Sequence, residues 1–270
     1  MTAQPAPRHA AGHSTVTQAA RLVVAWQHPI TRQISPVGFL EATGSAFRFR
    51  YIAAALHVDG FRPLIGFPNF FESYESSQLF PLFAQRVMSA RRPEFKSFLA
   101  ELDLSGDDGL TPMEILARSG GRRAGDTLQL IPVPQIDHDG LTSCKFLIHG
   151  IRHRLEQDPA VESALAALKP GDRLILRDEP TNPHNERAII ALGENRVAIG
   201  WVPDLLLDYV HEVRTGQEPL VRVLHVNDPT SPPHLRLLAE LIGHVSSAYR
   251  PFSGPQWAMP NAARDDLIAI

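Results

Sequence analysis

The chain has a single cysteine, Cys144, among 270 residues, which excludes a disulfide within the chain and a cysteine-based zinc site. That economy fits a reducing compartment, and the cytoplasm is the default expectation. No window approaches the roughly eighteen consecutive apolar residues of a membrane span. The first twenty residues (MTAQPAPRHAAGHSTVTQAA) lack the apolar run of a secretory signal, so no membrane association is expected. An excess of positive charge is missing too. With 26 Lys and Arg against 29 Asp and Glu the net charge is −3, which argues against the broad basic surface of a protein that coats duplex nucleic acid. Any nucleic-acid contact must be local.

The usual enzyme anchors are also absent: there is no Gly-x-Ser-x-Gly elbow, no phosphate-binding P-loop, no Gly-x-Gly-x-x-Gly fingerprint and no His-Glu-x-x-His helix. A non-enzymatic protein without a cofactor is therefore expected. The remaining enzyme reading, a nuclease built on acidic clusters, lacks a carboxylate set with metal spacing.

What is present is a hydrophobic content of 44%, ample for packed cores, in a length that suits two domains. Residues 1–18 read as a disordered arm. Residues 19–134 read as an α+β domain: a β-meander of Leu22–Trp26, Val37–Glu41 and Phe47–Tyr51, helical spacing over Gln78–Ala90, a helix over Pro93–Leu102, and a returning strand over Gly125–Val133. Between these, Thr111-Pro112-Met113-Glu114 gives a helix start with an N-cap, a proline at the first helical position and a capping-box glutamate. The polar, proline-marked stretch Pro132–Gly140 is the domain boundary.

Residues 141–246 are dominated by strands: Cys144–Arg152, Asp172–Arg177, Arg187–Leu192, Arg196–Val202, Leu220–Val226 and Leu235–His244, with helices over Ala160–Leu168 and Asp204–Val213. Short connections between them suggest a small barrel. Residues 247–270 form an extended tail, but Trp257, Leu267, Ile268 and Ile270 would lie in water unless the tail docked.

Three tempting features have plainer explanations. Gly120–Gly125 is glycine-rich and basic, yet it lacks the Lys-Ser/Thr ending of a phosphate loop and leads into a strand, so it reads as a helix stop and turn. Asp103, Ser105, Asp107 and Glu114 fall in a calcium-loop register, but the turn glycine is displaced, with Asp108 in its place and Gly109 after it. Of twelve histidines, His149 and His153 are the nearest pair. If both lie on one strand they stand about 13 Å apart, too far to share an ion.

One ordered series carries more. It runs Gly150-Ile151-Arg152-His153, Gly171-Asp172 through Arg177-Asp178-Glu179-Pro180, Asn182-Pro183-His184-Asn185-Glu186-Arg187-Ala188-Ile189, and Ile199-Gly200-Trp201-Val202-Pro203. Physically, Asn182-Pro183 makes a sharp turn that presents His184 and Asn185, and Arg152 on an opening strand supplies a phosphate-seeking fork. The plainer alternative makes Asn182–Asn185 only a turn, Arg177–Glu179 an ion pair and Trp201 a core residue.

The series, over about Lys145 to Val226, resembles the HIRAN domain. The resemblance implies a compact barrel of the SH3 and oligonucleotide-binding kind that recognises single-stranded DNA or DNA ends, with a pocket for the 3′ hydroxyl in fork-remodelling helicases. On that implication Arg152 meets a phosphate, His153 stacks on a base, and His184 and Asn185 stand where the family has Tyr and Asp at the terminal nucleotide. Arg177 and Arg187 complete the implied nucleic-acid-binding set. Asn185 in place of an aspartate removes a charge, which bears on strict 3′-end selection. From Lys145 to Arg214 nine Lys or Arg face eleven Asp or Glu, so binding is expected to be modest and salt-sensitive.

In the first half, Val37-Gly38-Phe39-Leu40, Phe47-Arg48-Phe49-Arg50-Tyr51, Phe67-Pro68, Leu79–Phe83 and Met113–Asp126 resemble the N-terminal subdomain of HipA-type toxin kinases. That resemblance implies an interaction domain without phosphotransfer, partnered by a HipA-like kinase or a helix-turn-helix protein. Arg86, Arg91, Arg92, Lys96, Arg118, Arg122 and Arg123 give this half a basic set that either meets an acidic partner or is a solvated face. Two functions follow as expectations: a nucleic-acid-binding adaptor, or a toxin–antitoxin regulator whose two domains both bind protein.

Overall fold

A computed structural model of the chain describes residues 21–104, 110–123 and 125–261. The expected N-terminal arm, the register positions Ser105, Asp107, Asp108 and Gly109, and the tail residues Leu267, Ile268 and Ile270 lie outside the described residues.

The first half is built on β1 (Arg21–Gln27), β2 (Ile34–Thr43) and β3 (Ala46–Tyr51), the meander that the alternating runs imply. β4 (Ser73–Ser76) pairs with β3 at one edge, and β5 (Leu128–Pro132) returns to pair with β1, so the order is β4-β3-β2-β1-β5. With a neighbour on each side, β1 is buried continuously from Leu22 to Ala25. Aromatic rings fill the core beside it: Phe49 lies 4.4 Å from Phe67, and the Tyr51 hydroxyl donates to the Phe67 carbonyl at 2.8 Å.

The helical spacing over Gln78–Ala90 yields a shorter element than expected. α1 spans only Pro81–Ala84, and Arg86 and Val87 continue it with bonds to carbonyls three residues back. Recurrence at three and four arises because Phe83 and Arg86 turn into one core, where Phe83 packs on Phe67 at 5.8 Å. Arg86 is not a surface cation. Its buried guanidinium donates to the Leu82 and Gly121 carbonyls and pairs with Asp126. Arg118 is likewise buried and bonds Glu114 and the Leu102 carbonyl, so two of the seven basic residues hold structure rather than face a partner.

α2 (Phe95–Glu101) and α3 (Pro112–Ser119) follow. α3 begins as read, with the Thr111 hydroxyl accepting from Glu114 N–H at 3.2 Å, and stops at Gly120 in the left-handed region. The carbonyls of Gly120 and Gly121 accept from Leu130 N–H and Arg86, so the glycine run serves as a helix stop that docks on β5.

The second half contains β6 (Gln135–Ile136), β7 (Leu141–Leu147), α4 (Ile151–Gln157), α5 (Ala160–Ala167), β8 (Ile175–Asp178), β9 (Ile189–Leu192) and β10 (Ala198–Trp201). α6 (Leu207–Gly216), β11 (Leu220–Val226) and β12 (Leu237–His244) complete it. The strands form two antiparallel sheets, β10-β9-β8 and β11-β12-β7-β6, and neither closes on itself. Isolated bridges join them at both ends, His149 with Trp201 and Arg173 with Arg222. The expected linker Pro132–Gly140 is itself structured, contributing β6 and a turn whose Asp137 carboxylate accepts from Asp139 and Leu141 N–H.

One expectation needs correction. The strand read over Cys144–Arg152 ends at Leu147, and Arg152 and His153 lie on helix α4. Gly150, at φ 71°, reverses the chain there, and a Cβ on it would meet the Trp201 ring at 2.4 Å. His149 and His153 are therefore not neighbours on one strand.

The tail docks through Trp257, whose ring lies 5.8 Å from Phe39 on β2, while Ala53 N–H donates to the Ala258 carbonyl at 2.8 Å. Among the described residues no helix is long and apolar enough to cross a membrane.

Candidate nucleic-acid interface

Trp201 is the centre of the candidate site. Strand register sets Arg177, Ile190 and Trp201 in one row across β8, β9 and β10, and the His149 bridge extends that row. Paired residues project to the same face, so Arg177 and Trp201 share a side of the sheet. Gly150 lets α4 pass close over this face. The His153 ring thereby comes to 6.2 Å from the Trp201 ring at an interplanar angle of 35°. Arg154 closes the other flank, with its Nε donating to the Ala198 carbonyl at 3.0 Å and its guanidinium 5.9 Å from the indole.

A polar relay joins this ring to the Asn182–Arg187 loop. Trp201 Nε1 donates to Glu179 Oε2 at 2.7 Å, and Asn182 Nδ2 donates to the same oxygen at 2.6 Å. The Asn182 side-chain oxygen accepts from His184 N–H at 3.0 Å and Asn185 N–H at 3.3 Å, and Asn185 Oδ1 accepts from Arg187 N–H at 3.0 Å. Partial desolvation raises the Asp204 carboxyl, while the Asn185 amide and His184 act to lower it, which sets Asp204 beside the same loop.

The fold thus brings His153, Arg177, His184 and Asn185 around the Trp201–Glu179 pair. The other two expected residues diverge. Arg152 is exposed on the first turn of α4 and pairs with Glu156 at 3.5 Å. Arg187 points its guanidinium to Asp208 on α6, and its carbonyl faces the His211 ring. The anticipated Arg177–Glu179 ion pair gives way to the indole and amide donors on Glu179, while the neighbouring Asp178 pairs with Arg214.

Sequence reasoning overlooked Glu179, Asn182, Arg154 and Asp204, and treated Trp201 as core although it is only half-buried. The Glu179-Pro180 and Asn182-Pro183 steps were the available signal, since each fixes a turn beside a polar side chain. His149 continues the row beyond Trp201. Burial, with Arg122 and His234 nearby, pushes its ring down to about 3, so it is neutral at pH 7. Among the described residues no group of histidine, cysteine and carboxylate side chains could hold a metal ion.

As chemistry, the site offers a half-buried indole with an imidazole above it, the exposed cation of Arg177 beside an Arg154 already held by Ala198, Gln157 and Asp158, and a loop tip with an imidazole and an amide. Stacking faces beside phosphate-seeking donors are what a single strand uses.

No family model matches the chain, and no curated protein matches it significantly. Among solved structures it is similar to a structural-genomics protein from Lactobacillus plantarum, with 20% identity over 39% of this chain and 100% of that one, at a TM-score of 0.30.

Proposed function

We propose that the protein is a nucleic-acid-binding adaptor whose second half holds the end of a single DNA strand against Trp201 and His153, with the His184–Asn185 loop at the terminal nucleotide. The observation that carries this reading is the relay from His153 through Trp201, Glu179 and Asn182 to His184 and Asn185, because it fixes a stacking surface and a polar loop tip as one unit. In this reading the domain is of the HIRAN kind and the strands of the second half form a barrel. Supporting the barrel, the bridges at His149–Trp201 and Arg173–Arg222 link the three-stranded and four-stranded sheets at both ends, and backbone bonds run from Gly171 and Leu174 N–H to the Val223 and Val221 carbonyls.

Fluorescence anisotropy with short single strands ending in a 3′ hydroxyl or a 3′ phosphate, and with duplex, tests the proposal. A single strand with a free 3′ hydroxyl is expected to bind most tightly at low salt, and Arg177→Ala to weaken it several-fold. Equal binding of all three probes, or none, would sink end recognition.

A protein partner for the first half, as a HipA-like kinase regulator would require, is supported by a different feature. β4 is an open sheet edge, and Ile65 and Phe71 in the segment that precedes it are exposed. Co-purification of a kinase or helix-turn-helix protein, lost on Ile65→Asp, is the test of that second reading.

A further inference from the structure

A cavity of about 320 Å³ lies between α6 and the returning segment Tyr249–Trp257, and Asp208, the partner of Arg187, is on its wall. Its wall combines two kinds of group. Tyr249, Phe252 and Trp257 supply aromatic surface, the last two with ring centroids 4.8 Å apart and planes at 58°. Asp208 and Glu212, four residues apart and so on one face of α6, supply carboxylates.

We propose that this cavity binds a small alkylated ammonium ion, with the aromatic rings around its methyl groups and Glu212 as its counter-charge. Asp208 is engaged by Arg187, whereas Glu212 has no ion pair or side-chain hydrogen bond among the described residues. Arg250 is the one cation on the wall, and its Nη1 is turned to the Ser247 and Tyr249 carbonyls at 2.7 Å each. Burial, then Asp208 and Glu212, push the Tyr249 hydroxyl up to about 12, which places both carboxylates within electrostatic reach of the aromatic wall.

Ligand class follows from what the wall accepts. Free carboxylate disfavours an anion. A purely apolar molecule would leave that charge desolvated without compensation. An alkylated ammonium satisfies both components, because its positive charge is spread over methyl groups that pack on ring faces. The volume is at the small end for ligand sites, which suits a compact ion and not an extended chain. Phe252 supplies an additional mark of purpose: it holds its ring in this wall from a left-handed backbone at φ 52°, a conformation that a bulky side chain adopts only when its surroundings enforce it.

The test titrates the full chain with choline and, as the uncharged isostere, 3,3-dimethyl-1-butanol, reading tryptophan emission and methyl NMR shifts. Choline should saturate with an affinity about ten-fold above the alcohol's. Glu212→Gln should weaken choline about five-fold without changing the alcohol, and Trp257→Phe should remove the emission change while choline still shifts the NMR signals. Thermal melts establish that each variant folds. Equal affinity for the two probes, absence of saturation by choline, or unchanged choline binding in a folded Glu212→Gln variant would each overturn the proposal. The nucleic-acid reading is untouched by all of these outcomes, since its probes and variants are different.

Discussion

Glu179 accepts hydrogen bonds from the Trp201 indole and the Asn182 amide on one carboxylate oxygen, at 2.7 and 2.6 Å. This single atom ties the β10 ring to the loop that carries His184 and Asn185. Glu179→Gln keeps the shape but replaces the carboxylate by an amide, a weaker acceptor for both donors. Hydrogen bonds to charged groups contribute about 1.5–3 kcal/mol, so the variant should lose roughly that much stability and lower single-strand affinity. Urea denaturation and anisotropy on the same preparation check both effects. Unchanged affinity with reduced stability would mean that the relay holds the fold alone.

Gly150→Ala should be more damaging than an ordinary turn substitution. The residue sits at φ 71°, and its new methyl would press into the Trp201 ring at 2.4 Å. A loss of about 2–4 kcal/mol is expected from the combined strain and overpacking. Chemical denaturation measures it, and near-UV circular dichroism should report a displaced indole.

Arg86 has a side chain that is 2% exposed and is held by Asp126 and two carbonyls. Removing it takes the cation from Asp126 Oδ2, leaving only the Leu128 N–H on that carboxylate among the described residues, and takes the side-chain donor from the Gly121 carbonyl. Arg86→Ala should therefore cost about 3–5 kcal/mol, as truncating one side of a buried ion pair does, and Arg86→Lys should recover only part of it. Both are read from urea midpoints.

Stability should fall in mild acid partly because of His149. Its folded pKa is depressed to about 3 by burial, below its ordinary value of 6.5. Between those limits the unfolded chain binds a proton that the folded chain does not, so stability declines as pH drops from about 6.5 towards 3. His149→Gln should flatten the pH dependence in that window. NMR of the wild-type ring should show it neutral at pH 5; a protonated ring at that pH would refute the burial argument.

Salt dependence offers a measure of how local the contact is. With acidic residues outnumbering basic ones between Lys145 and Arg214, the slope of log affinity against log salt should correspond to only about two or three phosphates. Arg177→Ala should reduce it by about one. A slope near that of a protein gripping a long duplex would contradict the proposed site.

Much of the strand order is legible because alternation and turn residues mark it directly: β1, β3, β11 and β12 lie within two residues of their expected bounds, and β2 starts three residues earlier than expected. The Thr111-Pro112 helix start was legible for a local reason, since a cap needs only its own neighbours. Arg152 and His153 were misplaced because the decisive partner of Gly150 is the Trp201 ring, some fifty residues away, and a glycine says nothing about what presses on it. In sequence Arg86 and Arg118 read as charges that either meet a partner or face solvent. Asp126 is remote from Arg86 in sequence and only the folded chain brings it there, whereas Arg118 pairs with Glu114 one turn earlier on α3 and is buried through its bond to the Leu102 carbonyl. The relay at Glu179 combines both difficulties, joining a turn that could be read to an indole that could not be placed.

The pairing of β1 with β5, Leu22 with Pro132, also sets an order of events during synthesis. Until residue 132 has left the ribosome, the apolar run Leu22–Ala25 has β2 on one side and an open row of amides and carbonyls on the other. At about 5–20 residues per second, that edge stays unsealed for several seconds after β3 is complete. In that interval another nascent copy or a chaperone can occupy the place that β5 later takes.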